Sequence, residues 1–345
     1  MNNKVVGIGL SGGVDSSVAA YLLKEQGYKV VGITMKLIDD EKTNNAIHDA
    51  KEVCDFLGIS HHVVDLQKEF KEIVIDNFVN SYKEGKTPNP CVICNKHFKF
   101  GLFFETAKKL GCNYIATGHY AKIKDNKLYM SDVATKDQSY FLYGISKEIL
   151  KHVIFPLQGY EDKVQIRKIA EEIGLKISDK KDSQEVCFIP NDDYKAYLNN
   201  YLDEAPKEGD ICLEDGTVLG KHNGLINYTI GQRKGLNISY KTPLYVTRLD
   251  RDNNRLIVSD NEGLFNKSLI AKDINLLVDN WDFDKEIYAK VRSRGVPKRC
   301  NISLLPDNQA KINFLEEVRA ITPGQSVVFY DKDGLCIGGG IIIES

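Results

Sequence analysis

Over the first two hundred residues, short apolar runs alternate with stretches whose apolar positions recur every three to four residues. Lys4–Leu10, Lys29–Met35, His62–Leu66 and Asn113–Gly118 read as strands. Ser16–Gln26 carries Val18, Ala19, Leu22 and Leu23 on one stripe, and Asn45–Leu57 repeats Ala46, Ala50, Val53, Cys54 and Leu57. Phe98–Leu110 and Gln165–Ile173 continue the helical pattern, and Lys122–Met130 holds a hairpin around Asp125-Asn126. Strand and helix in alternation predict a parallel sheet with helices on both faces, an α/β domain over residues 1–204.

The pattern changes class near residue 205, where Pro206 and Gly209 stand in a polar stretch. Residues 205–278 break into short segments at Asp-Gly, His-Asn-Gly and Gly-Leu-Asn, which predicts a small, mostly β central domain. Residues 279–345 contain Glu286–Arg294, Cys300–Leu305, Ala310–Phe314, Val318–Ile321, Ser326–Tyr330 and Ile341–Ile343 as short strands. Five or six such strands in so few residues predict a small C-terminal β-barrel.

Charge adds little: 46 basic against 48 acidic residues leave a formal net charge of −2, so any surface for a polyanion must be local. The start, MNNKVVGIGLSGG, lacks a secretory pattern, and no apolar run approaches the ~18 residues of a spanning helix. A cytoplasmic location is the expectation. Of eight cysteines only Cys91 and Cys94 lie close together, which does not suggest a disulfide framework.

The strongest local signal is Ser11-Gly12-Gly13-Val14-Asp15-Ser16-Ser17, between the first strand and the first helix. Glycines let backbone N–H groups approach a phosphate, and the helix N-terminus adds partial positive charge. Ser11, Ser16 and Ser17 offer hydroxyls to pyrophosphate oxygens, and Asp15 suits a Mg²⁺ shared with those phosphates. No lysine follows the glycines, so this is not a Walker A loop. The stretch expected to line the nucleotide is Gly9, Leu10, Ser11, Gly12, Gly13, Val14, Asp15, Ser16 and Ser17.

SGGVDSS resembles the loop of the PP-loop enzymes, which adenylate a substrate and release pyrophosphate. The likeness extends through Met35-Lys36, Thr87-Pro88-Asn89-Pro90, Cys94-Asn95-Lys96, Thr117-Gly118-His119-Tyr120 and Asp137-Gln138-Ser139-Tyr140. It continues through Lys181-Asp182-Ser183, Cys187-Phe188-Ile189, the run Tyr228–Gly235, Thr322-Pro323-Gly324-Gln325 and Gly338-Gly339-Gly340. In this ordered set the chain resembles the bacterial tRNA-specific 2-thiouridylase family. That resemblance implies ATP-dependent activation of O2 of the wobble uridine in the anticodon stem-loops of lysine, glutamate and glutamine tRNAs. Sulfur would then displace AMP, supplied by a cysteine desulfurase, a sulfur-relay protein or hydrosulfide. It also implies that Met35 and Gly118 lie beside adenosine, and that His119, Asp137, Gln138 and Lys181 face nucleotide or tRNA.

By the same resemblance Cys94 is the cysteine that attacks the uridine carbon or handles sulfur, and Cys187 is its persulfide-receiving partner. Thiolates suit both tasks. Where the best-known members carry an aspartate, this chain has Cys91, creating Cys91-x-x-Cys94. Three alternatives stay open: a [4Fe-4S] cluster on Cys91, Cys94 and Cys187, a persulfide relay through Cys94 and Cys187, or structural zinc with His97 as a further ligand.

The densest basic run, KVRSRGVPKR, would place Lys290, Arg292 and Arg294 on one face of a strand, facing either phosphates or only solvent. Arg233 and Lys234, in a glycine-flanked loop, would track the RNA backbone. Two rival functions share parts of this pattern. An AMP-forming PP-loop ligase for a small metabolite would not need the paired cysteines. A tRNA-binding or sulfur-carrying protein without catalysis would not need the loop.

Overall fold

A computed structural model describes residues 4–133, 135–160, 162–176, 186–202 and 205–345. Val5–Gly9 is the middle strand of a five-stranded sheet in the order Ser60–Asp65, Lys29–Lys36, Val5–Gly9, Tyr114–Ala116, Val153–Ile154. All four pairings are parallel. Val6 and Ile8 are completely buried because helices cover both faces, which is why this strand is an unbroken apolar run. Val18, Ala19 and Leu23 of helix Val14–Glu25 and Ala50, Val53, Cys54 and Leu57 of helix Glu41–Leu57 pack in one of its cores. The expected hairpin is present: Asp125 and Asn126 adopt φ 52 and 59, the left-handed pair that a tight two-residue turn requires.

The structure departs from the sequence reading between residues 67 and 109, much of which is helical. Gln67–Phe70, a π-helix over Lys71–Ile75 and Asp76–Lys83 follow one another. A second run joins Pro90–Cys94, a π-helix over Asn95–Leu102, and Phe103–Lys109. The helix expected from Phe98 therefore begins at Pro90, because a proline in the first turn forfeits only a donor that would be unpaired anyway.

Four strands, Tyr245–Asp250, Arg255–Ser259, Gly209–Cys212 and Val218–His222, form the central sheet. Six more close a barrel in the order Phe265–Leu276, Gln309–Arg319, Lys298–Leu305, Ile287–Lys290, Ser326–Tyr330, Cys336–Glu344. The barrel's first strand thus starts at Phe265, within the stretch expected to belong to the central domain. Register shifts between Asn266 and Ser268 and between Lys272 and Asn275, with Asp273 at φ 54, hide its period-two pattern. Ala310–Phe314 and Val318–Ile321, expected as separate strands, lie largely within Gln309–Arg319, and the strand expected over Glu286–Arg294 stops at Lys290.

The barrel seats directly on the α/β domain. The Tyr140 hydroxyl donates to the Ser326 carbonyl at 2.8 Å, and Asn275 Nδ2 donates to the carbonyls of Tyr143 and Ile145. The Thr87 N–H donates to Pro323 O at 2.9 Å, and Gln325 Nε2 donates to Thr87 O at 2.8 Å. Gly324 sits at φ +92 with Thr87 backbone only 2.9 Å from where a Cβ would be, so that contact demands glycine. The barrel thereby grips the chain just ahead of the helix that carries Cys91 and Cys94.

Candidate active site

Val5–Gly9, Lys29–Lys36 and Tyr114–Ala116 run parallel, so the loops after them gather at one sheet edge, where open α/β sheets bind ligands. Helix Val14–Glu25 opens there with Gly13 at its N-cap and no side-chain cap. Leading N–H groups of a helix have no partner within it and favour an anion. Gly12 holds φ +64, and an added Cβ would lie 2.4 Å from the Ala46 carbonyl oxygen. Gly118 faces the loop from the neighbouring strand end; a Cβ there would sit 3.0 Å from Ser16 N. Both glycines are needed for close backbone approach.

Within this stretch the side chains divide the work differently from the expectation. Leu10 and Val14 are buried in the core, so only their backbone borders the loop. Ser17 is fully buried and its hydroxyl donates to Gly13 O at 2.9 Å; it shapes the turn instead of facing a ligand. Ser16 donates to the same carbonyl at 3.1 Å and lies 3.2 Å from Ser11 Oγ, which leaves Ser11 the more open of the two. Met35 is half-buried at the end of its strand.

Asp15 is held from two sides. The Tyr120 hydroxyl donates to Oδ1 at 3.0 Å, and Lys163 Nζ donates to Oδ2 at 2.9 Å from the first turn of helix Lys163–Glu172. A carboxylate has about four lone-pair sites, so Asp15 keeps the capacity to ligate a Mg²⁺ that bridges to phosphate. Neither Tyr120 nor Lys163 was legible as a site residue, since 105 and 148 residues separate them from Asp15.

Cys91 and Cys94 come from helix Pro90–Cys94, and Cys187 from the segment after residue 185. Cys94 is buried, and burial pushes its thiol up to about 12, opposed by the Lys99 cation, with Cys187 and Cys91 adding to the rise. Cys91 and Cys187 each present surface to solvent, yet the protein packed around their sulfurs also raises both thiols, with Lys99 again lowering them. Each pair of the three cysteines lies within electrostatic reach, and Lys99 reaches all three. Among the described residues no three Cys, His, Asp or Glu side chains converge on one ion position. His97 stands exposed. Three soft thiolates suit a multinuclear cluster by their donor chemistry.

The residues expected to face tRNA divide sharply. Asp137 does not reach RNA: its side chain is 0% exposed, paired with Lys290 Nζ at 3.3 Å, and its Oδ1 accepts from the N–H groups of Ser131 and Ser139. Lys290 is likewise internal at 3% exposure, and Arg292 and Arg294 lie beyond the strand end, so the three do not form one basic strand face. Arg292 is exposed along its stem, but Nη2 donates to Ile230 O, Ala320 O and Thr322 Oγ1, tying the barrel to the central domain. Gln138 Oε1 accepts from the Tyr120 N–H, a local structural contact. His119 is partly buried between Phe100 and Phe155, with Nδ1 2.7 Å from Thr117 Oγ1 and Nε2 3.4 Å from Lys99 Nζ. Burial, then Lys99, hold His119 neutral, well below the usual histidine range. Arg233, Lys234 and Arg294 are exposed; Lys181 lies outside the described residues. No described helix is long and apolar enough to cross a membrane.

Residues 4–191 match the family described as tRNA methyl transferase HUP domain, 195–260 the tRNA methyl transferase PRC-barrel domain, and 266–342 the aminomethyltransferase beta-barrel domain. The chain is 45% identical over 361 residues to tRNA-specific 2-thiouridylase MnmA of Clostridioides difficile (strain 630), covering 100% of this chain and 99% of the relative. It is 48% identical over 354 residues to tRNA-specific 2-thiouridylase MnmA 1 of Clostridium tetani, covering 99% and 97%. Among solved structures, the U34-tRNA thiolase NcsA of Methanococcus maripaludis overlaps in part, with TM-score 0.39, 24% identity and coverage of 59% of this chain and 66% of that one.

Proposed function

This chain belongs to the tRNA-specific 2-thiouridylase family, and from that premise we propose how its own residues carry out ATP-dependent 2-thiolation of the wobble uridine in lysine, glutamate and glutamine tRNAs. The observation that carries the reading is the link from the glycine loop to the cysteines: Gly118 abuts Ser16, His119 beside it lies 3.4 Å from Lys99 Nζ, and Lys99 is within electrostatic reach of Cys91, Cys94 and Cys187.

The loop's N–H groups and helix N-terminus bind the ATP phosphates, and Asp15 would help hold a Mg²⁺ whose charge would offset theirs. Uridine O2 attacks the α-phosphorus; the O–P bond forms, pyrophosphate leaves and N3 loses its proton. A carbonyl oxygen that would not leave by itself now leaves as AMP. Sulfur arriving as hydrosulfide forms the S–C2 bond, the C2–O bond breaks toward AMP, and the sulfur-borne proton returns to N3. Uridine, ATP and hydrosulfide thus give 2-thiouridine, AMP and pyrophosphate.

Cys94, buried at the end of its helix, faces the uridine carbon, and the more exposed Cys187 receives sulfur from a donor such as a cysteine desulfurase. If sulfur travels as a persulfide, its terminal sulfur attacks C2. The second thiolate then takes the inner sulfur, leaving a Cys94–Cys187 disulfide for an external dithiol to reduce. A [4Fe-4S] cluster on Cys91, Cys94 and Cys187 would instead supply an open iron with affinity for sulfide.

Cys94→Ser and Cys187→Ser are each expected to abolish 2-thiouridine, measured by nucleoside mass spectrometry, and normal product from either would sink the reading. Iron and sulfide content separates the two sulfur routes. About four of each per chain, lost in Cys91→Ser, identifies the cluster; none, with activity retained in Cys91→Asp, identifies the persulfide relay.

A further inference from the structure

The geometry points to Lys99 as the residue that holds anionic sulfur at the reaction centre, a fixed cation set between the three cysteines and the nucleotide edge and positioned by His119. The inference rests on the reading of the cysteines as the sulfur site.

Its placement follows from local structure. Cys94 is the N-cap of the π-helix Asn95–Leu102, and Lys99 is five residues on, the spacing of a π-helical hydrogen-bond rung. The wider turn carries Lys99 back over the cysteine instead of a third of a turn past it. Phe98 and Phe100 on either side are completely buried, so the lysine stem between them has little freedom. At its tip, Nζ lies 3.4 Å from His119 Nε2. A lysine ammonium only donates, so Nε2 is the acceptor and His119 carries its proton on Nδ1, directed to Thr117 Oγ1 at 2.7 Å. His119 directly follows Gly118, whose backbone abuts Ser16 of the phosphate loop. A neutral imidazole thus links the cation beside the cysteines to the wall of the nucleotide site.

The chemistry needs such a charge. Thiolate, persulfide and hydrosulfide are all anions, and Cys94 is buried, where an anion without a nearby cation is costly. Lys99 is the cation common to all three. Lys42, from helix Glu41–Leu57, also acts on Cys187, and Tyr197 lies near that same cysteine. Adenylation takes place at the loop and does not call on Lys99. Removing the lysine should therefore separate the two half-reactions.

The test uses the full-length chain, unmodified tRNA, ATP and sodium sulfide. For Lys99→Met the KM for sulfide should rise about tenfold or more, the effect of losing one nearby opposite charge, while tRNA-dependent pyrophosphate release stays near the parent rate. Lys99→Arg, which keeps the charge, should stay close to the parent. A readout without turnover is thiol modification: Lys99→Met should slow reaction with a dianionic aromatic disulfide more than with neutral iodoacetamide. An unchanged KM for sulfide, equal slowing by both reagents, or loss of pyrophosphate release in the Met and Arg variants alike would overturn the role. If the parent makes 2-thiouridine only from a cysteine desulfurase with cysteine, the same KM comparison is made for that donor; a parent that makes none from either source would count against the sulfur-site reading itself, whatever Lys99 does.

Discussion

Gly12 shows how little room the phosphate loop leaves at single residues. Its φ of +64 disfavours any L side chain, and the Ala46 carbonyl occupies the space a methyl would need. Gly12→Ala should therefore lose ATP binding by at least tenfold in a calorimetric titration, the strain and clash together exceeding ~1.4 kcal/mol; unchanged affinity would show that the loop does not work through its backbone. The histidines give a second residue-scale expectation. His61, His119 and His222 all hold protons less tightly than the ordinary 6.5, burial being the first cause in each. Below that value the unfolded chain binds more protons than the folded one, so stability falls as pH drops. Urea midpoints at about pH 7.5 and 5.5 should show it, the lower pH unfolding first, with a smaller difference in His222→Gln. The loop and the cysteines stand out residue by residue in the sequence as candidates, because each chemistry needs a particular side chain or none. Asp15's partners were not, because a carboxylate does not advertise which distant lysine will reach it.

At the scale of elements, the helix Pro90–Cys94 and its π-helical continuation matter most. Thr87, just ahead of them, is pinned by Pro323, Gly324 and Gln325 of the barrel. Gln325→Ala removes a donor to Thr87 O worth roughly 1 kcal/mol, too little to unfold the chain but enough to loosen the cysteine helix. Thiolation should then fall several-fold while ATP affinity is kept; a parallel fall in both would place the effect elsewhere. The alternation of strand and helix in the first half was readable because a parallel sheet buries whole strands. The π-helix was not, since its extra residue per turn appears only in the hydrogen bonding. The first barrel strand, Phe265–Leu276, was missed because its bulges break the alternation.

For the whole molecule, the buried pair Lys290–Asp137 joins the barrel to the α/β domain. Lys290→Met strands a buried carboxylate and should cost about 3–5 kcal/mol, read by chemical denaturation. Adding Asp137→Asn should restore most of that. The amide oxygen still accepts from Ser131 and Ser139 N–H without a charge to bury. If the double variant is no more stable than the single one, the pair is doing something other than balancing charge.

The sequence by itself determined the nucleotide and tRNA chemistry, though not the sulfur donor, and the order of the domains. A glycine-serine loop, a second cysteine beside Cys94 and a change from helical to alternating periodicity are local facts, and local facts survive without coordinates. Only the tertiary structure decided which charges face outward. Lys290, Arg292 and Arg294 look equivalent in a row, but one neutralises an internal aspartate, one bridges two domains and one stays exposed. The same holds for Lys99 and Lys163. Charge acts across space without regard to chain separation, so its partners are set by how the elements pack.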